Sequence, residues 1–157
     1  MESLDKLDIR ILSVLQVDGR ISNQQLAERV NTSAASCWRR VRALESSGVI
    51  GRYAAVVDSE KVGFELCAFA QITMVRHVSI DVKQIEAAII AQPEVLECYA
   101  TTGDSDFLLR VVTGDIASYD RFLETFIFSL PGIGQVRSNI ALREIKYEVA
   151  LPLNINH

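Results

Sequence analysis

The sequence has little of what builds a disulfide framework, a metal centre or a membrane span. Its three cysteines, Cys37, Cys67 and Cys98, are odd in number, widely spaced and without a C-x-x-C pair. That argues against a disulfide scaffold or a zinc site and fits a reducing cytoplasm. The two histidines are His77 and His157. No run of about 18 apolar residues occurs, and the opening stretch MESLDKLDIRIL carries acids where a secretion signal needs a basic region and then an apolar run. Neither export nor a membrane span is expected, so the formal glycosylation pattern at Asn31 carries no meaning.

What is present is a foldable, unevenly charged chain. Hydrophobic residues make up 49% and charged ones 23% of the 157 residues, enough to bury a core and too apolar for disorder. The net charge of −4 speaks against nucleic acid until the chain is divided. Residues 1–53 hold 8 Lys+Arg against 6 Asp+Glu, and residues 54–157 hold 8 against 14. The basic front is suited to meet phosphates and the acidic remainder is not.

The front half reads as three short helices. Leu4, Leu7, Ile11, Leu12 and Leu15 recur at helical spacing in LDKLDIRILSVLQ, which stops at Asp18-Gly19. Ser22 followed by Gln25 makes a capping box for a helix of at most three turns, with Leu26, Ala27 and Val30 on its buried side. Ser33 is an N-cap for AASCWRRVRALESS, which ends near Gly48. Helix, short helix, tight turn and basic helix is the spacing of a helix-turn-helix. With Cys37 at zero on the third helix, Val41 and Leu44 fall within about 40° of it, whereas Ala35, Trp38, Arg39 and Arg42 fall between roughly 100° and 200°. The small residues Ser33, Ala34, Ala35 and Ser36 let this end enter a major groove, where the arginines reach bases or phosphates. The expected DNA-contacting set is Ser22, Asn23, Ser33, Ala35, Ser36, Trp38, Arg39 and Arg42. Trp38 fits either a DNA contact or half-burial against a neighbouring helix. Arg40, beside the core, suits an ion pair or a backbone phosphate. The stretch 48–58, GVIGRYAAVVD, is β-rich and expected as a wing hairpin or a strand leading onward.

The back half reads β-α-β-β-α-β, the order of a ferredoxin-like α+β sandwich. The strands are LCAFAQITMV, VLECYATT, DFLLRVVT and GQVRSNIALREI; the helices are SIDVKQIEAAIIAQ, ended by Pro93, and Ile116 to Leu130, ended by Pro131-Gly132. The expected boundaries are a winged helix-turn-helix at 1–57, a linker at 58–65, the sandwich at 66–148 and a tail at 149–157. Helices cover one face of such a sheet, and the other should read polar. It does not: Phe107, Leu109 and Val111 alternate with Leu108 and Val112, with Arg110 the one charge among them. Two apolar faces predict a dimer through this domain.

Between the middle strands lies TTGDSDFLLR, with Asp104 in and Asp106 just after a turn at Gly103-Asp104-Ser105. Two carboxylates without a nearby histidine make a poor metal cage, and no nucleophile or base accompanies them for catalysis. A polar hairpin turn and a small-molecule pocket both remain. A free amino acid needs an acceptor for its ammonium group, which either aspartate supplies, and amide donors for its carboxylate, which the backbone around Gly103 supplies.

Four stretches in order, LDKLDIRILSVLQVDGRISNQQLA, RRVRALESSGVIGRY, TTGDSDFLLRV and LPGIGQVRS, resemble the leucine-responsive and asparagine regulators, the Lrp/AsnC family of prokaryotic transcription factors. The resemblance covers nearly the whole chain. It implies a winged helix-turn-helix followed by a βαββαβ amino-acid-sensing domain, dimers that join into octamers, and pseudo-palindromic DNA. It implies an effector site between dimers, formed with a neighbouring subunit and lined by Ala100, Thr102, Gly103, Asp104 and Asp106, with Ile116, Ile140 and Ala141 as neighbours. It also marks departures: Ala34 and Ser36 stand where relatives commonly carry prolines, and Trp38 where they carry a smaller residue. The expected function is a cytoplasmic, non-enzymatic DNA-binding regulator without metal or prosthetic group, responsive to an amino acid. The alternative is a sensor or scaffold whose front unit binds protein.

Overall fold

The computed structural model describes residues 4–75 and 82–153. Both histidines, and the first residues of the helix expected to start at Ser79, lie outside them. The chain divides into two compact units, one formed by residues up to Val56 together with the segment from Lys146 onward, the other spanning Val57–Ile145. The last segment thus clusters with the front of the chain.

The first unit is built on α1 (Lys6–Val17), α2 (Asn23–Arg29) and α3 (Ala34–Ser46). Each begins at a side-chain cap that satisfies orphan amides of its first turn. Asp5 and Asp8 form a capping box on α1, Ser22 and Gln25 form the expected one on α2, and the Ser33 hydroxyl accepts from Ser36 N–H on α3. The tight turn between α2 and α3 needs a left-handed residue, which Asn31 provides at φ 53. Ile11, Leu12, Leu26, Ala27, Val30, Cys37 and Leu44 close the core, and Leu153 from the end of the chain packs against it. The core side read from the helical spacing is therefore the core side in three dimensions.

One expectation fails locally. Residues 51–58 form no strand, and Val56 and Val57 stay 66% and 62% exposed. Their β-rich composition lacks a ladder partner within the unit, and an unpartnered extended segment gains nothing from propensity alone.

The second unit is a four-stranded antiparallel sheet, order β2-β3-β1-β4, made of β1 (Leu66–Met74), β2 (Val95–Ala100), β3 (Phe107–Thr113) and β4 (Ile133–Ile140). α4 (Val82–Ala91) and α5 (Ile116–Thr125) supply its helices. Ala68, Ala70 and Ile72 pair with Val111, Leu109 and Phe107, and these buried residues close on Ile85, Ile89, Tyr119, Phe122 and Ile127. The last helix is shorter than its apolar pattern. It ends at Thr125, capped by Phe126, and a single 3-10 turn follows, in which Ile127 is fully buried.

The registers also resolve the opposite face of the sheet. Phe69 pairs with Arg110, which pairs with Glu97; Gln71 pairs with Leu108, which pairs with Tyr99. Phe69 is 38% and Tyr99 55% exposed, so an apolar patch surrounds an Arg110–Glu97 ion pair of 3.0 Å. β4 adds Arg137 and Asn139 to this face. Across β1, β2 and β3 the face mixes Phe69, Leu108 and Tyr99 with Gln71 and the Arg110–Glu97 pair, and along β4 it is polar.

Candidate DNA-reading helix and ligand loop

α3 is held from both sides by its own unit. The Asn23 amide donates to the Ala34 carbonyl at 2.8 Å, tying the start of α2 to the start of α3. Arg40 bonds Asp5 at 2.7 Å and Asp8 at 2.9 Å, tying the middle of α3 to the start of α1. Donation from the Asp8 backbone, then from Arg40, holds the Asp5 carboxyl below its ordinary value, and the two carboxylates push the Arg40 guanidinium up. Of the ion pair or backbone phosphate expected of Arg40, the ion pair is present; its partners Asp5 and Asp8 were not foreseen, and their three-residue spacing at the start of α1 is the signal that could have named them.

The residues assigned to DNA divide accordingly. The hydroxyls of Ser22 and Ser33 and the amide of Asn23 serve the helix mount. Ala35, Trp38, Arg39 and Arg42 stand exposed on the side away from Cys37 and Leu44, with Ser36 half-buried beside them. Trp38 is 55% exposed and its ring lies 5.6 Å from the Arg42 guanidinium carbon, a cation–π contact. Arg42 also meets Glu45 at 3.2 Å in an exposed pair of the kind that contributes little to stability. Arg39 has no ion-pair partner among the described residues. The arrangement is an exposed cationic surface on a helix bonded to both of its neighbours.

The loop 101–106 is bonded into the sheet rather than splayed from it. Thr101 N–H donates to the Asp106 carbonyl at 3.0 Å and Asp106 N–H to the Ile72 carbonyl at 2.8 Å. The Thr73 hydroxyl donates to the Asp104 carbonyl at 3.0 Å and the Thr101 hydroxyl to the Ser105 carbonyl at 2.7 Å. The β1–β4 ladder is irregular at Thr73/Met74, and the Asp106 carboxylate takes up the Met74 N–H at 2.6 Å. Gly103, at φ +109, turns the chain in a region closed to other residues, and nothing lies within 4 Å of where a Cβ would sit. The two aspartates are therefore unequal. Asp106, also exposed, commits one carboxylate oxygen to the fold, while the exposed Asp104 carboxylate has no partner among the described residues.

Ala100, Thr102, Gly103, Asp104 and Asp106 come together at one end of the sheet. Ile116, Ile140 and Ala141 do not join them. Ile140 pairs with Ala68 and Ala141 N–H donates to the Cys67 carbonyl, whereas the loop attaches at Ile72, four residues along β1 and about 13 Å away. Ile116 follows Thr113 at that far end. A cleft of about 400 Å3 lined by Phe64, Gln92, Glu94, Thr113, Ser118, Arg121 and Phe122 contains none of these residues. Among the described residues no group of three metal-ligating side chains occurs, and no helix is long and apolar enough to cross a membrane.

Residues 4–50 match the family model for a winged helix-turn-helix DNA-binding domain, and residues 67–151 match that for the Lrp/AsnC ligand binding domain. The chain belongs to the Lrp/AsnC family. It is 37% identical over 150 residues to the DNA-binding transcriptional activator DecR of Escherichia coli, covering 96% of this chain and 99% of that one. It is 38% identical to the leucine-responsive regulatory protein of Rhizobium meliloti, covering 91% and 92%. A transcriptional regulator of Neisseria meningitidis, solved with L-Met, superposes with a TM-score of 0.91 at 38% identity, covering 97% and 98%. This Lrp/AsnC member is a DNA-binding transcriptional regulator, a helix-turn-helix joined to a ligand-binding domain of the ferredoxin-like kind.

Proposed function

We propose that the protein regulates transcription from the cytoplasm as a homodimer, assembling further into octamers, on pseudo-palindromic DNA, with a free amino acid as effector. Trp38, Arg39 and Arg42, with Ala35 and Ser36 at the helix tip, meet the major groove. Ser22, Asn23 and Ser33 contribute by fixing the helix and by presenting their remaining polar atoms to phosphates. The exposed cationic side of α3, opposite its core side and clamped by Arg40 and Asn23, is the observation that carries this reading. No reacting group takes part, and no metal or prosthetic group is required.

The effector's ammonium group pairs with Asp104, and its carboxylate takes backbone N–H groups near Gly103. Asp106 shapes the loop. Phe69, Tyr99 and Leu108 around the Arg110–Glu97 pair form the dimer face, because burying them together with a satisfied ion pair removes apolar area from water. Ile116, Ile140 and Ala141 approach a ligand loop only from another copy, so ligand binding and assembly are linked, and the ligand alters DNA affinity through its preference between assembled states. The L-Met bound by the Neisseria meningitidis regulator supports an α-amino acid as the ligand class. A gel-shift titration on the protein's own promoter region tests the DNA reading. Binding that weakens linearly with log salt is expected; no binding at low salt, with or without the twenty amino acids, overturns it.

A further inference from the structure

The end of the chain returns to α1. The Gln16 side-chain amide donates to the Leu151 carbonyl at 3.1 Å, and Leu151 N–H donates back to the Gln16 Oε1 at 2.6 Å. This is a closed, two-bond clasp between residues 135 apart in sequence. Pro152 follows with its fixed φ, Leu153 N–H turns back onto the Leu151 carbonyl at 2.9 Å, and the Leu153 side chain packs on the core that holds Leu7, Val14 and Leu15. The clasp grips the last turn of α1, which ends at Val17. At its other end, α1 offers Asp5 and Asp8 to Arg40 of α3. The segment that makes the clasp is the direct continuation of the ligand-binding unit, whose last strand ends at Ile140.

We propose that residues 146–153 are a strap by which the ligand-binding unit holds the DNA-reading helix through α1, in the order Leu151, Gln16, Asp5 and Asp8, Arg40. The strap touches no DNA and still sets DNA affinity, because α3 is seated on a helix fastened at both ends. It makes the chain's two units doubly connected, by residues 57–65 and again by 141–145. The proposal rests on α3 being the DNA-contacting helix, and its test separates the two ideas.

Two variants of the full protein test it: Gln16→Leu, which keeps the side-chain volume and removes both clasp bonds, and a chain ending at Ala150, which removes Leu151 and Leu153. Amide exchange is followed across the chain, with DNA affinity measured on the same promoter fragment. Two modest exposed hydrogen bonds and one apolar contact predict roughly tenfold faster exchange in the last turn of α1 in the truncated chain, and roughly threefold in Gln16→Leu. DNA binding weakens at least threefold in both, while exchange in β1, β3 and α5 stays unchanged. Unaltered α1 exchange in the truncated chain overturns the strap. Faster exchange with unaltered DNA affinity overturns the relay to α3. If the unmodified protein binds no DNA, the fault lies with the DNA reading, and the exchange data still judge the strap.

Discussion

Asp104 and Asp106 stand two residues apart and carry the same charge, yet their replacement by alanine should have opposite consequences. The Asp106 carboxylate accepts the Met74 N–H at 2.6 Å where the β1–β4 ladder is irregular. A hydrogen bond to a charged group contributes about 1.5–3 kcal/mol net, and the exposure of Asp106 places this one at about 1.5 kcal/mol at most. For a domain the size of the Val57–Ile145 unit, that is a fall in melting temperature of roughly 6–12 °C. Asp106→Asn keeps an acceptor and should lose about half as much. Asp104→Ala removes no bond and should stay within about 0.5 kcal/mol of the parent, while abolishing the melting-temperature rise given by an amino acid that binds the parent. Thermal unfolding of the three variants, with and without the twenty amino acids, decides it. An Asp106→Ala protein melting like the parent, or an Asp104→Ala protein with its ligand response intact, refutes the division of labour.

Three further outcomes are expected. Arg39→Ala and Arg42→Ala should each weaken DNA binding and reduce the slope of log affinity against log salt by about one, with melting unchanged; a melting loss above about 1 kcal/mol would mark them as structural. Arg40→Met should lower stability at neutral pH. Asp5 has a folded-state pKa held below 3.8, so its contribution is present above that value and is lost as pH falls through the folded value. The stability gap between parent and Arg40→Met, followed by denaturant unfolding, should therefore narrow progressively as pH falls below 3.8 and through the depressed folded value, and a gap that stays constant over that fall would exclude the Asp5 pairing as its source. Light scattering at micromolar concentration should find a dimer or larger, and a stable monomer would remove the role given to Phe69 and Tyr99.

Local chemistry made much of this legible before any coordinates. Ser22 with Gln25 and Ser33 announce two helix starts, and the angular split between Cys37 and Arg39 on α3 announces a core side and a cationic side. Features that depend on distant partners were not legible. The β-rich run 51–58 finds no strand beside it. That Ile116 and Ile140 lie at the far end of the sheet from the loop of their own chain is set by the strand register, which no local pattern displays. The Gln16–Leu151 clasp joins residues that no local pattern connects. Asp106 and Asp104 were indistinguishable as letters, and only the Met74 N–H tells them apart.

In the proposed function, an amino acid bound by one unit changes how the other grips DNA. The most direct test is fluorescence anisotropy of the promoter fragment titrated with protein, at fixed salt, without and with an amino acid that raises the melting temperature. A change in apparent Kd of roughly fivefold or more is expected, the span of ordinary coupling energies, with no such change in Asp104→Ala. A parent protein whose DNA affinity is identical with and without a bound amino acid would contradict it.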